Sequence, residues 1–171
     1  MKAVVESVTS APPDVAHATN IDISRWPEFI RGITRVEILT DGPIGVGTRF
    51  RETRTMFGRE AIEEMTVAAL ESPHRQVFTA ENHGARYVAT TDIIPEGSGS
   101  RLRLTFEGIP VTLAARLLSF VSVLMMGQVR KQLQNDLDDV AAEAARRATS
   151  ASGRAARAAL AGRPQTPSTD L

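Results

Sequence analysis

A chain of 171 residues, 42% of them hydrophobic, has the size of one domain and enough apolar material to bury a core. Its 20 basic and 20 acidic residues cancel, and only 5% are aromatic, which argues against a nucleic-acid partner. The absence of cysteine excludes disulfides and thiolate chemistry.

The N-terminus carries no apolar run of signal-peptide length. Residues 2–9, KAVVESVT, read as a first strand. APPDVAHATN opens with prolines suited to a helix start and places Asp14 in the first turn. ISRWPEFIRGI reads as a second short helix, with Ser24 as N-cap, Pro27 early and Gly32 at the end. Trp26, Phe29 and Ile30 would anchor it to the core.

The stretch DGPIGVGTRFRETRTMFGRE, residues 41–60, holds several glycines, as phosphate loops do. A phosphate loop needs a helix N-terminus after the glycines. Here Thr, Arg and alternating large apolar residues follow, which is strand patterning after an Asp41-Gly42-Pro43 turn. From Thr34 to Glu107 the period is two, giving strands at 34–40, 46–56, 59–70, 75–82, 85–94 and 100–107. Short turn-like links between them imply an antiparallel meander.

A long helix follows, with Pro110 at its start. Leu113, Leu117, Val121 and Leu124 form one apolar stripe; Leu118, Met125, Val129, Leu133, Leu137 and Val140 form another. Residues 109–126 are the longest apolar stretch, but Thr112, Arg116, Ser119 and Ser122 make it marginal as a membrane span. No stable membrane insertion is expected, and a cytoplasmic location is the default. From Ala141 onward five arginines face two acids, a net of +3. This Ala/Arg/Ser/Pro segment has few large apolar residues, so the domain is expected to span 1–148 and to pass into a disordered tail over 149–171.

The order of elements, with GPIGVGTRFRE, RWPEF and IIPEGSGSRLRL, resembles the START-like (SRPBCC) helix-grip superfamily over about residues 2–145, and its polyketide cyclase/dehydrase-like branch in particular. The resemblance implies an α+β fold. A curved seven-stranded antiparallel sheet would wrap around the long C-terminal helix, with two short helices between strands 1 and 2. It also implies a deep apolar cavity for lipids, polyketides or other hydrophobic small molecules. It carries no catalytic set that could be transferred.

Strand parity assigns the inner face independently. Over 46–56, Val46, Thr48, Phe50, Glu52, Arg54 and Met56 point inward, because the alternate set has no large apolar residue. A turn centred on Phe57-Gly58 sets Arg54 opposite Ala61, Glu52 opposite Glu63 and Phe50 opposite Met65. The inner set of the next strand is then Ala61, Glu63, Met65, Val67 and Ala69. Tyr87, Ala89, Thr91 and Ile93 are the inner set over 85–94, and Leu102, Leu104 and Phe106 over 100–107.

The expected ligand-binding residues are Phe50, Arg54 and Met56, Met65, Tyr87 and Thr91, Phe106, and Leu117, Val121 and Leu124 of the helix. Glu52, Glu63 and Arg54 are the candidates for chemistry: two facing carboxylates in low dielectric raise one pKa unless Arg54 neutralises them. The bland alternative is a solvated patch at the cavity rim. His17, His74 and His83 lack metal-ligand spacing, so neither metal nor cofactor is expected. Three functions remain open: a carrier or sensor of a small hydrophobic molecule, a polyketide cyclase or dehydratase using the cavity carboxylates, and an interaction module forming a homodimer through helix 111–126.

Overall fold

Antiparallel strands with short links and a helix too long to be covered by any other element leave one economical arrangement, a sheet bent around that helix. The computed structural model shows it; residues 1–56, 58–82, 84–112 and 119–161 are described, with side chains from 1 to 112 and from 126 to 154. Strand β1 (Lys2–Thr9) leads to helix α1 (Pro13–Ile21), a 3-10 turn (Ile23–Arg25) and the single-turn helix α2 (Trp26–Phe29). Then come β2 (Ile33–Ile38), β3 (Arg49–Met56), β4 (Arg59–Glu71), β5 (Arg75–Asn82), β6 (Ala85–Glu96), β7 (Gly99–Pro110) and helix α3 (Ser119–Ala161). The sheet has seven strands in the order β1-β7-β6-β5-β4-β3-β2, and every pair is antiparallel.

Alternation decides which face is covered. The outward residues carry charges that pair across strands: Arg51 with Glu64 at 2.6 Å, Arg75 with Asp92 at 2.7 Å, and Arg101 and Arg103 both with Glu6. Such exposed pairs each contribute about 0–1 kcal/mol, so they mark the solvent face more than they hold it. Inward, Phe50, Val67, Ile93 and Leu102 are buried almost completely. Trp26 of α2 meets Phe50 and Phe78 edge-on, with ring centroids at 5.5 and 5.6 Å, and these two rings meet each other at 5.9 Å. Edge-to-face pairs add about 0.5–1.5 kcal/mol each beyond their burial. This trio fastens α2 to the middle of the sheet, as the RWPEF segment led one to expect.

Small residues let α3 settle closely at one side. Ala141 and Ala144 of α3 and Ala16 of α1 are buried, and Thr9 Oγ1 donates to the Ala141 carbonyl at 2.8 Å. Helix α3 packs against β1, α1 and β7. It reaches β3, across the concave face, through the Arg54–Asp136 ion pair.

The structure moves several expected boundaries. β3 begins at Arg49, not at residue 46; Gly47 has a φ of +91° and Val46 is exposed, so Val46 leaves the inner set. Strands β6 and β7 are longer than the period suggested, and Pro110 ends β7 opposite Ala85 instead of opening the helix. A register shift between Val67 and Ala69 changes parity in β4. Beyond it Leu70 lies opposite the buried Gln76 and packs on the core, displacing Ala69 from the inner set. α3 runs to Ala161, since Ala and Arg are strong helix formers. Residues 162–171 of the expected tail lie outside the described residues.

Gly99 is a place where only glycine fits. A Cβ there would sit 2.1 Å from the Thr9 carbonyl oxygen, which belongs to the backbone of the neighbouring strand. Gly99→Ala is expected to destabilise the protein by about 1–3 kcal/mol through forced backbone movement. Urea unfolding checks this; an unchanged midpoint contradicts it.

Candidate functional site

Because α3 rests on β1 and α1 at one side and reaches β3 through the Arg54–Asp136 ion pair at the other, a gap stays open above the middle strands. The cavity there measures about 620 Å³, within the range of small-molecule sites. Its sheet wall is Met65 of β4, Phe78 of β5, Tyr87, Ala89 and Thr91 of β6, and Leu104 and Phe106 of β7. Leu133, Leu137 and Val140 of α3 face it, and Trp26 and Ile30 close one end. Tyr87 and Phe106 stack at 5.6 Å with planes 17° apart, giving a flat aromatic panel.

The register of β3 and β4 matches the sequence reading: Phe50 opposite Met65, Glu52 opposite Glu63 and Arg54 opposite Ala61. Glu52, Arg54 and Glu63 therefore share one part of the cavity wall. Glu52 and Arg54 are not solvated at a rim, while Glu63 is half-buried. The Glu52 side chain is 8% exposed and that of Arg54 14%. Arg54 Nε lies 2.6 Å from Glu52 Oε1, a close ion contact without an aligned hydrogen bond. Arg54 Nη2 donates to Asp136 Oδ2 of α3 at 2.7 Å, and Gln132 Nε2 donates to the other Asp136 oxygen at 3.0 Å. The cluster thus bridges the sheet to the helix.

Burial pushes the Glu52 carboxyl up from 4.5 to about 6; Arg54 pulls it down, while Asp136 and Glu63 push it further up. Burial works against the Arg54 charge, but Glu52 and Asp136 outweigh it and hold the guanidinium above its ordinary pKa. Burial, with Glu63 nearby, raises the Tyr87 hydroxyl, so it stays a donor at neutral pH. A raised folded-state pKa favours the fold most at low pH. For Glu52 that contribution is full below about 4.5 and is lost as pH rises through about 6, about 2 kcal/mol in all. Glu52→Gln removes this slope, so the variant should gain about 2 kcal/mol relative to the parent between pH 4.5 and 7. Stability measured by urea at both pH values tests it, and parallel pH dependences of the two proteins contradict it.

Of the expected ligand-binding residues, Arg54, Met56, Met65, Tyr87, Thr91 and Phe106 line the cavity. Phe50 is fully buried behind the wall, in the aromatic trio, and is not part of the lining. Leu117 lies outside the described residues, as do the side chains of Val121 and Leu124. Sequence reasoning missed Asp136 and Gln132. Asp136 falls three residues after Leu133 and four before Val140, so it sits in the apolar stripe, and an acid in that stripe was the available signal. It also missed the polar floor beneath α1. There Gln76, fully buried, donates through Nε2 to the His17 carbonyl at 2.8 Å and accepts from Asn20 Nδ2. Among the described residues no group of His, Asp or Glu is arranged to hold a metal ion.

A sequence model for polyketide cyclase / dehydrase and lipid transport proteins matches residues 1–145. The chain belongs to this family. Solved structures of the START/SRPBCC superfamily share its helix-grip fold. The Zhui aromatase/cyclase from Streptomyces sp. R1128 superposes with a TM-score of 0.71 at 16% identity, covering 86% of this chain and 94% of that one. StfQ, a di-domain aromatase/cyclase of the steffimycin biosynthetic pathway, gives 0.70 at 14% identity, covering 86% of this chain and 51% of that one. A START superfamily protein from Mycobacterium smegmatis gives 0.59 at 13% identity, with 80% and 97% covered. At these identities the likeness is one of fold. No curated protein matches the sequence significantly. Among the described residues no helix is long and apolar enough to cross a membrane.

Proposed function

We propose that this family member binds a small hydrophobic molecule, lipid- or polyketide-like, between the sheet and α3, and acts as its carrier or sensor in the cytoplasm. The observation that carries this reading is the cavity of about 620 Å³, walled by Met65, Phe78, Tyr87, Phe106 and Leu133, with the buried Glu52–Arg54–Asp136 cluster as part of its wall. Apolar walls supply affinity, and a few fixed polar groups orient the ligand. Native mass spectrometry of the protein purified from its own host tests it. A co-purifying hydrophobic molecule, retained in the folded state and lost on denaturation, is expected. A protein that carries nothing and takes up no Nile red contradicts it.

One observation favours a second reading, a cyclase or dehydratase. Glu52 lines the cavity, is buried, and has a pKa of about 6, so both its protonation states are accessible near neutral pH. In this reading Glu52 exchanges a proton with the bound molecule, while Arg54 and Glu63 set its charge. Glu52→Gln then abolishes conversion of the co-purified molecule but leaves its binding in place; a variant that converts it as fast as the parent removes the reading. A homodimer formed through residues 111–126 would instead show as twice the chain mass in light scattering.

A further inference from the structure

The cavity has a second polar end, beneath α1 and apart from the ion cluster of β3 and α3. Gln76 of β5 fixes it. Fully buried, Gln76 donates through Nε2 to the His17 carbonyl at 2.8 Å, and a backbone carbonyl only accepts. Its Oε1 therefore faces Asn20, which donates Nδ2 to it. That orientation leaves Asn20 Oδ1 as an acceptor with no donor among the described residues. Thr91 of β6 lies directly opposite Gln76, so the two side chains stand on one face of the sheet with Cβ atoms about 5 Å apart. Its hydroxyl likewise makes no hydrogen bond among the described residues.

Thr91 is 3% exposed and Asn20 6%, and both line the cavity. Neither oxygen is sealed off as the unpartnered Nε2 of His17 is, so the space each one meets is the cavity. Such groups lose hydration on folding and gain no partner from the chain, a loss that a bound group restores. An amide oxygen only accepts, whereas a hydroxyl donates and accepts. A neutral hydroxyl satisfies both, donating to Asn20 Oδ1 while accepting from Thr91 Oγ1. An ether or ketone leaves the amide oxygen bare, and a methyl group leaves both bare. Alternation puts Tyr87, Ala89 and Thr91 in one row of β6, about 13 Å from first to last. The stacked Tyr87–Phe106 panel stands at one end of that row and the polar pair at the other, with the small Ala89 between.

We infer that Thr91 and Asn20, held by Gln76, form a hydroxyl-binding subsite, and that the cavity takes a flat apolar alcohol or phenol with its hydroxyl directed toward α1. The inference rests on the binding function proposed above and names the ligand class for that site.

Three probes of one ring system test it: 2-naphthol, 2-methoxynaphthalene and 2-methylnaphthalene, each displacing the neutral dye Nile red at pH 7. An apolar wall alone would rank the naphthol last, since its hydroxyl must leave water. The naphthol is expected to bind at least fivefold more tightly than either relative. Thr91→Val, which replaces the hydroxyl by a methyl group, is expected to weaken naphthol binding at least threefold and to leave methylnaphthalene within twofold. Thr91→Ser is expected to keep the preference. Because the Thr91 hydroxyl has no partner in the chain to lose, Thr91→Val should also hold or raise the thermal midpoint, whereas loss of a hydroxyl paired within the fold lowers it. A naphthol preference below fivefold, untouched by Thr91→Val or lost in Thr91→Ser, or a lowered Thr91→Val midpoint, overturns the inference and leaves the binding function standing. Failure of Nile red itself to bind overturns both.

Discussion

Arg54→Met is expected to lower the stability of the protein by about 3–5 kcal/mol at pH 7.5, the usual loss when one partner of a buried ion cluster is removed. The side chain touches Glu52 and Asp136, on a strand and on a helix that meet across the cavity chiefly here. Methionine keeps the volume but leaves two carboxylates facing each other in a poorly hydrated space. The loss should shrink at pH 5, where Glu52, with its pKa at about 6, takes up a proton. Glu52→Gln/Arg54→Met should therefore be more stable at pH 7.5 than Arg54→Met alone. Urea unfolding of the three variants at the two pH values measures this. A loss under about 1 kcal/mol, the size expected of an exposed pair, would show that the cluster is solvated and not part of the closed wall.

Ala89→Phe carries the other large effect, on binding. Ala89 lies at the centre of the sheet wall, paired with Phe78 on one side and Phe106 on the other, and its small side chain leaves open the space beneath α3. A phenyl ring there occupies volume that a ligand needs. Nile red affinity is expected to fall at least tenfold, while the thermal midpoint stays within a few degrees of the parent because the ring enters a void and not a packed core. Undiminished dye binding by a folded Ala89→Phe protein would place the binding surface elsewhere.

Much of this site follows from alternation. Arg49 and Arg51 can only face water, so Glu52 and Arg54 must face in, and one tight connection through Gly58 fixes which β4 residues lie opposite them. The facing pair of Glu52 and Glu63 and the inward Tyr87 and Phe106 came from nothing more. Reach across the cavity was not legible in the same way. Asp136 meets Arg54 because α3 is rotated by the packing of Ala141 and Ala144 against its neighbours, a property of assembled elements and not of the helix alone. The same holds for Phe50. Parity placed it inward, but only the arrival of Trp26 decides that it is covered by α2 and not by a ligand. The bulge at Val67–Ala69 defeats parity outright, since one extra residue swaps the faces beyond it and brings Leu70 into the core.

The hollow between the strands and α3 is probed most directly by nuclear magnetic resonance of methyl groups during a Nile red titration. Saturable shifts at Met65, Leu104, Leu133 and Val140, with Val8, Ile94 and Val46 on the outside unmoved, are what a ligand in this cavity produces. Shifts confined to the outer residues, or no saturable shift at any methyl group, would contradict a binding site between sheet and helix.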